Sequence, residues 1–308
     1  MARVADVHTD LDGSGGGADW AAPSIDEVTV LVTGYGPFLD QFPVNSSWSI
    51  ASSLPARLDP TPTCPTPIRL VVPNQYLKVA YHPVIAAVPT LLSDEYSDPS
   101  PDIILHIGMA SGRTYYTLET TAYRDGYDRL KDVEGMTFSK EENEEIWGEC
   151  PPVLQPGWDV DDVWRRWRGD VRGHLDLRPS TDPGNFLCGF IYYASLSTLW
   201  KANRKSEQEE GVLGEGGPVR ADGETSNVHV QDGERTSTKW PKKCVMFLHV
   251  PDTDKMGDVS NGVEVAEGMI RALVESRRRG LCGDVVDGSH TIGGKKAQRK
   301  ERDLKKMC

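Results

Sequence analysis

The stretch VTVLVT at residues 28–33, closed by Gly34, decides the fold class. It is short, apolar and rich in β-branched side chains, without polar alternation, which is the pattern of a strand buried on both faces of a parallel sheet. Two further runs share that character: IRLVV at 68–72, closed by Pro73, and IILHI at 103–107, closed by Gly108. Between them the spacing predicts two helices. One carries Trp48, Ile50 and Leu54 behind candidate caps at Asn45, Ser46 and Ser47, and the other spans about 76–92 with Pro83 bending it near its start. Helices near 161–168, 185–200 and 260–279 and a strand at 244–249 continue the alternation. Alternation at this spacing implies βαβ units, hence an α/β fold with a mainly parallel sheet covered by helices on both faces. Reactive groups in such folds gather at the carboxyl ends of strands, here 34–38, 108–113 and 249–252.

At 308 residues the chain can bury a sizeable core, and 38% hydrophobic with 26% charged residues is an ordinary globular balance. A net charge of -12 disfavours a general nucleic-acid binder, because phosphate contacts need clustered Lys and Arg. No stretch approaches the roughly 20 apolar residues of a membrane-spanning helix, and the first 25 residues lack an apolar signal core, so a cytoplasmic protein is expected. The six cysteines (64, 150, 188, 244, 282 and 308) form no C-x-x-C pair and are expected to be free thiols rather than staples or zinc ligands.

A Gly-rich leader over 1–25 and a basic tail over 280–308 flank the expected catalytic domain of residues 26–279, and an insert over about 202–240 interrupts it. The insert has almost no large apolar side chains and is expected to be a flexible surface segment. The tail reads as solvated, with nuclear targeting or an acidic partner left open.

The turn Thr33-Gly34-Tyr35-Gly36-Pro37-Phe38 is no dinucleotide site, since Leu39 stands where the third glycine would be and Pro37 removes an amide donor. Gly288 to Gly294 misses a phosphate loop, with Gly294 where the lysine belongs. Cys188 falls near the start of a predicted helix behind Asp182 and Asn185, where free N–H groups and the positive end of the helix dipole favour a thiolate. His249 ends a predicted strand at the same edge and can serve as a base to that thiol. Glu119 can hold the far nitrogen of an imidazole, completing a set of nucleophile, base and orienter. Taken singly, each of the three also fits an ordinary structural role.

Together these segments resemble the pyroglutamyl peptidase I (pyrrolidone-carboxylate peptidase) family of cysteine peptidases. The family's T-G-F-x-P-F and N-x-S-W resemble Thr33 to Phe38 and Asn45-Ser46-Ser47-Trp48; its glutamate segment resembles Ile107-Gly108 through Arg113 to Thr117-Leu118-Glu119. Its cysteine segment is similar to Ser180 through Tyr193, and its F-[IV]-H-[VI]-P to Phe247-Leu248-His249-Val250-Pro251. The resemblance implies a three-layer α/β/α sandwich and hydrolysis, without cofactor or metal, of the bond after an N-terminal pyroglutamyl (5-oxoprolyl) residue. It implies Glu119, Cys188 and His249 as catalytic residues, and Tyr35, Phe38, Met109 and Arg113 around the substrate. Peptides beginning with pyroglutamate are then the expected partners, with assembly into oligomers left open. Tyr35 replaces the usual Phe, Met109 stands where bacterial members commonly carry a glutamine facing the lactam, and Pro183 replaces an alanine. An idle family member that only binds N-terminal pyroglutamate, or a related cysteine amidohydrolase, are the alternatives.

Overall fold

The computed structural model describes residues 27–38, 40, 42–214, 243–252 and 259–290. The leader, most of the proposed insert and the end of the basic tail lie outside the described residues. β1 (Val28–Thr33) leads through Asn45, whose side chain accepts from the Ser47 amide, into α1 (Ser46–Ser53). β2 (Arg57–Leu58), β3 (Ile68–Val71), α2 (Tyr81–Leu91) and β4 (Ile103–Met109) follow. Because α2 begins at Tyr81 rather than near 76, Pro83 falls in its first turn, where its missing N–H costs no helical bond.

β5 (Tyr116–Glu119), β6 (Ala122–Tyr123), α3 (Lys140–Trp147), β7 (Val153–Gln155), α4 (Val160–Asp170) and β8 (Leu177–Ser180) come next. α5 (Leu187–Gly214), β9 (Cys244–Val250), α6 (Val259–Arg278) and β10 (Val286–Asp287) complete the chain. The main sheet has the order β2-β3-β1-β4-β9-β5-β8. β1 pairs in parallel with β3 and β4, β4 with β9 and β5 with β8, whereas β2 is antiparallel to β3 and β5 to β9. The sheet is mainly parallel, as the alternation implies.

Period-two side-chain alternation divides the core into two layers. Val30, Val32, Leu105, Ile107, Met246 and Leu248 pack with residues of α1, α4 and α6, while Leu31, Ile104, Val245 and Phe247 pack with residues of α2, α3 and α5. A three-layer α/β/α sandwich results.

Three expectations need correction. α5 runs on to Gly214, so the segment expected to leave the core near 202 opens as helix; Lys, Arg, Gln and Glu are good helix formers even where no face is apolar. Residues after 280 are not yet tail: Cys282 bridges to Trp158, and β10 joins β7 and β6 in a small antiparallel sheet. Free thiols hold for Cys64, Cys150 and Cys188, but Cys244 and Cys282 form a disulfide. The return of the chain after α6 carries Cys282 into the core cluster that also contains Cys244, the first residue of β9.

Candidate active site

The strand register explains how Glu119 reaches His249. Antiparallel pairing sets Thr117 opposite His249 and Glu119 opposite Phe247, so the three polar side chains share one face of the sheet. On the other flank of β9, Gly108 pairs with His249. The Glu119 carboxylate is fully buried, and its Oε1 accepts from His249 Nδ1 at 2.8 Å, from Arg113 Nη1 at 2.7 Å and from Thr117 Oγ1 at 2.8 Å. Donation from Nδ1 leaves Nε2 as the nitrogen free to act as base.

Burial alone would raise the Glu119 carboxyl, but the hydrogen bond and charge of His249, followed by the charge of Arg113, outweigh it and hold it down at about 2. His249 is lowered from its ordinary value, chiefly by burial, with Glu119 opposing. Near neutral pH the pair therefore rests as a carboxylate beside a neutral imidazole, the state a general base requires, and the charge of His249 acts on Glu119 only in acid, where the imidazole is protonated.

Cys188 approaches the same face from the helix layer. The turn before it is shaped by Ser180 Oγ accepting from the Asp182 amide, by Asp182 Oδ1 accepting from the Gly184 amide, and by a positive φ of +79° at Gly184. α5 then begins at Leu187 rather than near 185, which makes Cys188 its second residue, within the first turn where amide N–H groups are unspent. Gly108 admits the thiol: a Cβ at that position would lie 2.7 Å from Cys188 Sγ and 2.6 Å from Phe247 Cζ. Any side chain on β4 there would occupy the nucleophile's space.

Tyr35, Phe38, Met109, Arg113, Cys188 and His249 line one pocket of about 730 Å³, its open mouth included. Glu119 stands behind His249, outside the pocket lining. The Tyr35 hydroxyl, which replaces an apolar edge, donates to the Leu187 carbonyl at 2.7 Å and so meets a partner at the head of α5. Phe38 stacks on Phe42 with ring centroids 5.0 Å apart. Met109 is almost fully buried, and its sulfur accepts from Ser46 Oγ at 3.3 Å. Arg113, expected beside the substrate, lines the pocket and donates within the protein: Nη1 to Glu119 and Thr117, and Nη2 to the Asp182 carbonyl at 2.7 Å. One guanidinium thus ties the buried carboxylate to the turn that presents Cys188.

Sequence reasoning missed Thr117, Tyr192 and Asn185. The T-x-E spacing at 117–119 is the period-two signal that puts the threonine on the same face as Glu119, and it becomes legible once β5 is read as a strand. The Tyr192 hydroxyl donates to the Glu119 carbonyl at 2.8 Å, one helical turn beyond Cys188, tying α5 to β5 from below. Among the described residues no group of three or more His, Cys, Asp or Glu side chains is placed to hold a metal ion.

A family model described as pyroglutamyl peptidase matches residues 28–209. Pyroglutamyl-peptidase 1 of Homo sapiens is 27% identical over 170 residues, covering 54% of this chain and 72% of the relative. The pyrrolidone-carboxylate peptidase of Brachyspira hyodysenteriae is 30% identical over 179 residues, covering 56% of this chain and 76% of the relative. Among solved structures, the pyroglutamyl peptidase I from Bacillus amyloliquefaciens is similar with a TM-score of 0.56 at 18% identity, over 81% of this chain and 96% of that one. The pyrrolidone carboxyl peptidase from Pyrococcus furiosus is similar with a TM-score of 0.54 at 18% identity, over 81% of this chain and all of that one. At such identities the structural likeness speaks for the fold. The sequence match speaks for descent: with more than half of its length matched by one family model, the chain belongs to the pyroglutamyl peptidase family.

Proposed function

We propose that the protein is a cysteine exopeptidase that hydrolyses the amide bond following an N-terminal pyroglutamyl residue, with Cys188 as nucleophile, His249 as base and acid, and Glu119 as the group that orients His249. The observation that carries this reading is the 2.8 Å hydrogen bond from His249 Nδ1 to the buried Glu119 carboxylate, with His249 and Cys188 lining the same pocket. In the proposed cycle His249 takes the Cys188 proton, and the thiolate adds to the pyroglutamyl carbonyl carbon. The tetrahedral oxyanion lies where amides at the start of α5 can donate to it. Its collapse breaks the C–N bond as His249 hands the proton to the departing amine, leaving a thioester. Water, deprotonated by His249, then attacks the thioester and releases pyroglutamate and the thiol.

Glu119 stabilises the imidazolium formed twice in this cycle, and Arg113 and Thr117 fix the carboxylate that does so. The apolar walls formed by Phe38, Val79, Leu130 and Phe186 suit a small uncharged ring better than a free ammonium terminus. The expected compartment is the cytoplasm, where a catalytic thiol is kept reduced; among the described residues no helix is long and apolar enough to cross a membrane. The partners are peptides beginning with pyroglutamate, with no part for nucleic acid or lipid. Purified protein under reducing conditions is expected to release the fluorophore from a pyroglutamyl coumarylamide, and Cys188→Ala is expected not to. Undiminished turnover by Cys188→Ala would remove the mechanism.

A further inference from the structure

Most polar side chains of the pocket are already committed. Tyr35 donates to the Leu187 carbonyl, and Asn45 spends its oxygen on the Ser47 amide and hydroxyl and its nitrogen on the Gly36 carbonyl. Met109 offers only a thioether, which Ser46 takes, and Arg113 is turned to Glu119, Thr117 and Asp182. Asn185 is different. It lines the pocket three residues ahead of Cys188, is 9% exposed, and its carboxamide makes no hydrogen bond among the described residues. Both of its polar atoms keep some exposure to solvent.

The side chain is also backed from behind. Gly126, at a φ of +110°, brings the 125–127 backbone against it, with the Asn185 Cβ 3.6 Å and Nδ2 4.0 Å from where a Gly126 Cβ would stand. An amide that gives up water on entering a nearly closed pocket and gains no protein partner incurs a desolvation cost, which a ligand with matching groups relieves.

We propose that Asn185 is a specificity-determining residue whose carboxamide reads the amide edge of the substrate ring; this rests on the peptidase reading above. A five-membered lactam holds its N–H and C=O cis, side by side on one edge. A primary carboxamide presents the complementary pair, so Nδ2 donates to the ring carbonyl while Oδ1 accepts from the ring N–H. Apart from the reacting Cys188 and His249, no other described pocket side chain combines an unused donor with an unused acceptor. The apolar walls then hold the ring's carbons, and Asn185 distinguishes a lactam from a ring of the same shape without one.

The test compares two coumarylamides on the full-length protein, one capped with pyroglutamyl and one with cyclopentanecarbonyl, which keeps the ring and lacks the lactam. Asn185→Leu is expected to lower the ratio of their kcat/KM values roughly 10- to 100-fold, the range for two neutral hydrogen bonds into a buried pair. A ratio unchanged within about threefold, with both substrates falling together, would overturn the proposal and leave Asn185 a structural residue. A second measurement needs no turnover: calorimetric binding of pyroglutamyl-alaninamide to Cys188→Ala should weaken by the same factor when Asn185→Leu is added. If the unaltered protein leaves both coumarylamides intact while this binding depends on Asn185, the peptidase reading fails and the role of Asn185 stands. If turnover is intact and neither the ratio nor the binding responds to Asn185, this inference fails alone; absence of binding to Cys188→Ala counts against it as well. Should Asn185→Leu melt early, Asn185→Asp keeps the shape and the acceptor, removes the donor, and must still lower the ratio.

Discussion

Replacing Glu119 with glutamine keeps the volume of a fully buried side chain and removes its charge, and the structure sets the size of two separate effects. The carboxyl is held at about 2 in the folded protein, against about 4.3 in an unfolded chain. The difference corresponds to about 3 kcal/mol of folding free energy near neutral pH, an order-of-magnitude figure that Glu119→Gln should forfeit. The sign follows from the depressed value. As pH falls the unfolded chain takes up the proton first, so the contribution is complete above about 4.3 and is lost as pH falls towards 2. Urea unfolding of the two proteins should therefore differ by about 3 kcal/mol at neutral pH, by roughly half as much at pH 3, and by little near pH 2.

Catalysis should fall further than stability. A glutamine leaves the imidazolium without its counter-charge and frees His249 to rotate or change tautomer, so kcat/KM on the pyroglutamyl coumarylamide should drop by about two to four orders of magnitude. A folded Glu119→Gln protein with near-normal kcat/KM would refute the triad. A stability difference that does not shrink with acidification would refute the charge argument.

Other outcomes follow from single contacts. Gly108→Ala puts a methyl where Cys188 Sγ and Phe247 now pack, and should lower kcat about 100-fold while costing roughly 1–3 kcal/mol by denaturant unfolding. His106 lies buried between Thr33 Oγ1 at 2.7 Å and Ser195 Oγ at 3.0 Å, and burial lowers it to about 3. Because the unfolded chain protonates it first, stability should decline by up to about 1.4 kcal/mol per pH unit as pH falls below about 6.5, and His106→Gln should flatten that slope in urea titrations. Tyr35→Phe removes the bond to the Leu187 carbonyl and should cost about 1 kcal/mol in thermal or urea unfolding. With the ring retained, turnover should stay within about threefold.

The parallel half of the fold was legible because buried parallel strands are continuous apolar runs: β1, β3, β4 and β9 are such runs. β5 and β8 were not, since YTLE and LRPS contain polar residues that a propensity reading assigns to loops. Yet the polar residues of β5 are there for the site: Thr117 and Glu119 face His249 because the strand is antiparallel to β9, a pairing no local pattern announces. The site residues were named through several motifs in one order, while their geometry depended on register. Arg113 lines the pocket and is also bound to the carboxylate and the Asp182 carbonyl, partners on β5 and the 180–184 turn that sequence spacing cannot bring together. Asn185 stood at the expected start of the helix that carries Cys188, and it lies outside that helix because α5 begins at Leu187.

The length of α5 has a practical consequence. Gly214 lies twenty-six positions beyond Cys188, about 39 Å along a helix axis. The chain re-enters the sheet at Cys244, beside Ile103 at the amino ends of the strands, and His249 closes the same strand at the other end. The two described ends of that junction, Gly214 and Cys244, therefore both lie at the pole of the molecule remote from the thiol. A reporter or affinity handle spliced between those two ends would be anchored at the opposite end of the sheet's strands from the nucleophile.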